Sequence, residues 1–244
     1  VSVGTASRVL NGKPGVKPDT RERVIKVAKE LNYLPNQLAV AMKTRRTNTI
    51  GLIIADITNP FYSFTAKIIE MRALEQGYSV IICNTDNKNS TQRKIIQNLR
   101  ERQVDGFIFG SVGLYDKEVE DLIDSGIPVF MFHRHLDQPK GSYVGCDNYL
   151  GIRKTVEHLY SLGHVRIGFI TGPAEFSTAQ ERLEAFNIES KRLGLDSDAT
   201  MVKEGGYDRN KTVSCVNEFI SNPNMPTAIL APKDFMALYV VDCL

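Results

Sequence analysis

From Thr49 onward the chain alternates strand-length apolar runs with helical patterns, and no other feature of the sequence constrains its fold as much. The runs are TIGLIIA (49–55), SVIICN (79–84), GFIFG (106–110), IPVFMF (127–132), RIGFIT (166–171) and TAILA (227–231). Helical patterns fill most of the gaps, at about 60–76, 89–102, 116–125, 149–162, 178–193 and 209–221. Strands that are apolar throughout are buried on both faces, which implies a parallel sheet covered by helices. The β–α alternation predicts a doubly wound α/β architecture. YVGCDNYLG (143–151) sits halfway and reads as a crossing from one such sheet to another, so the body is expected as two lobes, 49–146 and 147–244.

Residues 1–48 have a different texture. VSVGTASRVLNG opens the chain with a helix of two turns: Ser2 starts it, Asn11-Gly12 closes it, and Ala6, Val9 and Leu10 fall on one side at i, i+3, i+4. Gly4, Thr5 and Arg8 fall on the other. A second helical pattern runs from Pro18 to about Leu34, with Pro18 suited to a first helical position and Asp19 and Glu22 to the positive end of the helix. Its apolar stripe is Val24, Val27, Ala28 and Leu31. Pro35 ends it. Asn36 is a capping residue for a short helix over Gln37–Met42, too short to hold in water without a partner. The polar tract Lys43–Thr49 reads as a linker.

Charge separates the two regions. The 244 residues carry a net +2, but residues 1–50 hold ten Lys/Arg against Asp19, Glu22 and Glu30, a net +7, which leaves −5 on the remainder. A basic head on a mildly acidic body points either to a polyanion-binding head or to a solvated basic surface. No apolar run is long enough to span a membrane. Cys83, Cys146, Cys215 and Cys243 are scattered without metal-ligand or redox spacing, as expected of thiols in a reducing cytoplasm. The chain shows no paired Ser/His/Asp set, no metal spacing and no phosphate-cradling Gly loop, so neither an enzyme nor a cofactor is indicated. The one cluster of catalytic residue types, His133-Arg134-His135, follows a strand and reads as structural.

Six stretches in order, VSVGTASRVLNG, TRERVIKVAKELNYLPN, IGLIIADITNPFY, GCDNYLG, EHLYSLGHVRIGFITGP and PTAILAPKDFMAL, resemble the lactose/galactose-repressor family of bacterial transcription regulators over nearly the whole chain. The resemblance makes the first helix similar to the recognition helix of a helix-turn-helix, which lies in the major groove. Val3, Gly4 and Thr5 then match positions that vary with operator sequence, Arg8 a position that reaches guanine, and Ser7 and Asn11 phosphate-positioning groups. Gly4 is a departure, since relatives often carry a reading side chain there. The segment 36–42 matches the family's hinge helix, begun by Asn36, with Met42 at the apolar minor-groove wedge where many relatives have Leu. The bracing first helix of the head and the C-terminal part of the second lobe are not matched, so the resemblance implies an internal fragment of a longer protein.

The body resembles periplasmic sugar-binding proteins. By that resemblance Phe61 and Tyr62 face the cleft and stack on a ring, while Arg182 and Asp234 hold effector hydroxyls or carboxylates. Tyr207 is a further candidate, and Asp147 organises the crossover and contacts the ligand. In APKDF, Pro232-Lys233 replaces a more common Ala-Asn, which alters the pocket or reduces it. The implied function is a cytoplasmic repressor that binds a pseudopalindromic site on double-stranded DNA as a homodimer or higher oligomer, controlled by a sugar or related metabolite. The alternative is a solute-binding protein of the same fold without DNA binding.

Overall fold

The expected strands form within a residue or two of the apolar runs. The computed structural model describes residues 1–10, 12–33, 46–138, 140–196 and 201–244. Asn11, Asn36, Met42 and the expected hinge helix lie outside the described residues.

Two helices make the head: α1 (Val3–Leu10) and α2 (Pro18–Glu30). Ser2 starts α1, its hydroxyl accepting from the Thr5 amide at 3.2 Å. Arg21 of α2 donates to the Lys13 carbonyl at 2.7 Å and ties down the connecting turn. Val9 and Val24 are buried. The rest of the expected stripe on α2 divides: Ala28 is half-buried, but Val27 and Leu31 are exposed. The end of the expected linker is docked on the body: the amides of Thr47 and Asn48 both donate to the Asp105 carboxylate, at 2.8 and 2.9 Å.

The first lobe contains β1 (Thr49–Ile54), α3 (Pro60–Glu75), β2 (Ser79–Asn84), α4 (Asn89–Glu101), β3 (Gly106–Phe109), α5 (Lys117–Asp124), β4 (Val129–Phe132) and β5 (Ser142–Val144). All neighbouring strands pair in parallel, in the order β2-β1-β3-β4-β5. Period-2 alternation explains why β1 is apolar throughout. Ile53 joins Leu99, Phe107, Phe109 and Leu122 in one core, whereas Leu52 and Ile54 join Tyr62, Ala66 and Phe132 in another. Leu52, Ile53 and Ile54 are fully buried, and burying a side chain of this size contributes about 1.5–3 kcal/mol. Gly51 lets Leu99 pack close: a Cβ there would lie 2.7 Å from Leu99 Cδ1 and displace it.

The second lobe contains α6 (Asn148–Ser161), β6 (Ile167–Thr171), α7 (Ser177–Leu193), β7 (Val202–Glu204), α8 (Arg209–Ile220), β8 (Ala228–Leu230) and α9 (Asp234–Val241). Its parallel sheet runs β7-β6-β8. Phe169 packs with Val156 and Phe186 on one side, and Ile170 with Val216, Phe219 and Met236 on the other. In both sheets the chain reverses direction about the first strand, between β1 and β3 and between β6 and β8. Crevices for ligands open at the carboxyl ends of strands at such switch points.

Candidate functional site

The strand ends of the two lobes face each other, and residues that follow β1, β4, β6, β7 and β8 line the space between them. Asn59 caps α3 by accepting from the Phe61 amide at 3.0 Å, and Pro60 fits the first helical turn. This start places Phe61 and Tyr62 behind the β1 turn. Phe61 is 44% exposed and packs on His133, ring centres 4.8 Å apart. Tyr62 is only 2% exposed, so its ring lies under the cleft rather than open to it, and its hydroxyl is buried without a hydrogen-bond partner.

His133-Arg134-His135 sits in the cleft wall at the end of β4. His133 adopts a left-handed backbone (φ 67°), a conformation that non-glycine residues rarely take and that clusters at functional sites. Burial, then the nearby charges of Arg134, Lys233 and Arg182, push its pKa down to about 3, so the imidazole is neutral. Arg134 is 1% exposed. Its guanidinium lies 3.5 Å from the centre of the Phe176 ring of the second lobe, and one nitrogen donates to Asn87 Oδ1 at 2.9 Å. His135 crosses to the second lobe: its amide donates to Ser177 Oγ at 3.1 Å and Nε2 lies 2.7 Å from Glu181 Oε1.

From the second lobe, Arg182 Nε donates to Asn148 Oδ1 at 2.8 Å and another nitrogen to the Pro232 carbonyl at 3.1 Å. Asn148 in turn donates to Glu181 at 2.6 Å. Tyr207 also has a left-handed backbone (φ 61°), and its ring lies over Gly172, where a Cβ would sit 2.3 Å from the phenol carbon. Phe176 and Tyr207 are parallel, with ring centres 6.4 Å apart, and Lys233 Nζ lies 3.6 Å from the Tyr207 centre. Burial, then Arg134 and Arg182, lower the Lys233 pKa to about 7. Asp234, exposed at the start of α9, accepts from the Phe235 amide.

Of the residues expected around an effector, Arg182, Tyr207 and Asp234 therefore converge with Phe61 and the buried Tyr62 on one cleft. Asp147 is exposed and caps α6, accepting from the Leu150 amide at 2.8 Å. Its geometry is that of a helix cap at the lobe crossing. Arg134, His133, Phe176 and Lys233 were not among the expected ligand residues. A loop charge flanked by histidines gives no local sign of the ring it will stack on, 42 positions further along the chain.

On the head, α1 presents Val3 (89% exposed), Gly4, Ser7 and Arg8 to solvent, with Thr5 half-buried. A side chain at Gly4 would meet only Ser2 Oγ, at 3.9 Å.

Comparisons with known proteins agree with this geometry. Residues 1–36 match the family described as bacterial regulatory proteins, lacI family, and residues 47–243 match periplasmic binding proteins and the sugar binding domain of the LacI family. Catabolite control protein A of Priestia megaterium is 32% identical over 242 residues, 99% of this chain and 73% of that protein. The Lac repressor dimer bound to operator and the anti-inducer ONPF superposes with a TM-score of 0.84 at 26% identity, covering 100% of this chain and 73% of its own. A complex of the transcriptional regulator CelR with cellobiose gives 0.74 at 29% identity, covering 100% and 74%.

Proposed function

Because this chain belongs to the LacI family of bacterial regulatory proteins, we propose that it represses transcription in the cytoplasm, bound as a homodimer to a pseudopalindromic operator and controlled by a small molecule in the cleft. It is a DNA-binding transcription regulator with an effector domain. The family match over residues 1–36 sets aside the alternative of a solute-binding protein without DNA binding.

The observation that carries the proposal is the exposed face of α1. A two-turn helix with Gly4 and Thr5 near its start and Arg8 one turn on brings backbone and short side chains close to base edges, with a guanidinium placed to read guanine bidentately. Residues 1–48 form the DNA-binding head and hinge, 49–146 the first lobe and 147–244 the second. Phe61, Arg182, Tyr207 and Asp234 contact the effector, and a sugar suits their mixture of ring, fork and carboxylate.

Dimerisation follows from α3. Phe64, Ile68 and Met71 fall at i, i+4, i+7 and are 65%, 41% and 49% exposed, beside the edge strand β2 with its exposed Ile82. An apolar face of this kind is covered in the working protein. A second copy supplies the cover and brings two heads to two half-sites. Lobe closure then couples the cleft to the heads, because an effector shifts the balance of two lobe arrangements by its differential affinity. The test is a gel shift on selected palindromic and scrambled DNA, with sedimentation of the wild type and of Ile68→Asp. Specific binding by a dimer, lost with Ile68→Asp, is the expected result. Specific binding by a monomer would refute the dimer assignment.

A further inference from the structure

The cleft gathers three basic side chains, Arg134, Arg182 and Lys233. Among the described residues no carboxylate lies within 4 Å of Arg134, Arg182 or Lys233, although ion pairs of that length occur elsewhere on the protein, such as Lys203–Glu218 at 2.5 Å. The nearest acidic groups are engaged otherwise. Asp56 accepts from the Thr58 amide and hydroxyl at 2.9 and 2.7 Å, Asp234 from the Phe235 amide, and Glu181 from His135 and Asn148.

Arg134 makes the arrangement costly. Its side chain is 1% exposed, its Nε is buried with no hydrogen-bond partner, and its charge rests on the face of Phe176. Cation–π contact offsets part of the cost of burial. Together with the hydrogen bond to Asn87 it does not match the cost of burying a guanidinium with no counter-charge. Lys233 is half-buried on the parallel ring of Tyr207, and burial, then the charges of Arg134 and Arg182, lower its pKa to about 7. The hydroxyls of Tyr62 and Tyr207 are buried and unpartnered as well.

Cations drawn from both lobes and held together without a counter-charge are set up for an anion that arrives with the ligand. Resting on the effector-cleft reading above, we infer that the effector is an anionic small molecule, a carboxylate- or phosphate-bearing polyol, whose charged group is held by Arg134, Lys233 and Arg182 across the cleft. The rings of Phe61, Phe176 and Tyr207 and the neutral His133 surround the uncharged part. Neutral sugars satisfy hydroxyl partners but bring no counter-charge to Arg134 and Arg182 and none that favours the Lys233 ammonium.

The experiment is calorimetric titration of the protein with matched sets: ribose, glucose and galactose; ribose 5-phosphate, glucose 6-phosphate and galactose 6-phosphate; gluconate, glucuronate and galacturonate; and inorganic phosphate. Binding is expected in an anionic set only, and the anionic set that responds identifies carboxylate or phosphate as the group held. Lys233→Gln weakens that binding at least about tenfold, the scale of a lost charge-assisted hydrogen bond, while Lys233→Arg retains it. Melting curves of both variants check that they fold. Neutral sugars binding as tightly as their anionic partners, or an anion binding Lys233→Gln unchanged, would overturn the assignment and leave the effector cleft intact. Silence of every compound, inorganic phosphate included, overturns the assignment and the effector cleft together.

Discussion

His135 Nε2 on the first lobe lies 2.7 Å from Glu181 Oε1 on the second, and joins the two sides of the cleft with a contact that depends on protonation. Burial disfavours the imidazolium, but hydrogen bonds to Glu181 and to the Leu136 carbonyl outweigh it and raise the pKa above its ordinary 6.5. A raised pKa means that the contact's full contribution is present below pH 6.5 and is lost as the pH rises through the folded-state value. The two side chains are 28% and 22% exposed, so the contribution is about 1 kcal/mol or less. Small-angle scattering between pH 5.5 and 8.5 should show the lobes more separated at the alkaline end. His135→Gln should remove most of that change, and an identical pH response in the variant would place the lobe contact elsewhere.

Arg8 is expected to carry base specificity. It is exposed on α1, and its side chain makes no hydrogen bond or ion pair among the described residues, so Arg8→Ala should leave the melting temperature unchanged. Loss of a bidentate guanine contact costs about 1–3 kcal/mol of discrimination at one base pair. Binding to a library randomised at each operator position measures this directly. A uniform loss across all positions would mean that Arg8 contacts phosphate instead.

Most of the fold was legible because burial on both faces forces strands such as TIGLIIA to be apolar throughout. The elements that were missed lack such a signature. β5 has three residues, all exposed, and β7 is three residues of mixed Val, Lys and Glu. DFMALYVV in α9 is too apolar for helical periodicity to show. The cleft was legible where a motif or an aromatic run marked it, as at Phe61, Arg182, Tyr207 and Asp234. It was not legible at Arg134, and at Lys233 only as a change to the pocket, because their partners are the Phe176 and Tyr207 rings beneath them. Two sheets must be brought face to face before those partners exist, and no local pattern encodes that.

Gly4 separates stability from function. Its position has room for a Cβ, and Gly within a helix costs roughly 0.5–1 kcal/mol relative to Ala. Gly4→Ala should therefore raise stability by up to that amount, and less if the helix end is frayed. If the bare backbone approaches base edges, the same methyl group should weaken operator binding. Melting and gel-shift measurements on one preparation separate the two effects, and a stabilised variant with full affinity would mean that α1 does not approach DNA at this residue.

Lys233 gives the cleft a second pH dependence, beside that of the His135–Glu181 contact. Its pKa is about 7 in the folded protein, against an ordinary 10.5. Between those values the unfolded chain holds a proton that the folded chain lacks, so this group makes folding more favourable as pH rises from 7 towards 10.5 and less favourable as it falls back. Ligand binding has the opposite sign. A bound anion favours the ammonium and raises the pKa, so the complex takes up a proton when it forms above pH 7, and affinity falls as the pH rises. The decline is at most about tenfold per pH unit, the limit for one proton. Of the other groups near Lys233, His133 loses its proton near pH 3 and burial raises the Tyr62 hydroxyl above its ordinary 10, so neither shares this titration, while the Asp234 and Asp56 carboxylates favour the ammonium less than burial, Arg134 and Arg182 oppose it. Titration with a sugar acid, whose own charge is constant from pH 6.5 to 9.5, in buffers of different ionisation enthalpy reads the proton uptake directly. Lys233→Arg should bind the same acid without the proton uptake, its affinity changing over that range only as far as the His135–Glu181 contact makes it. A wild-type affinity independent of pH, with no proton taken up, would show that the Lys233 ammonium does not meet the ligand's charge.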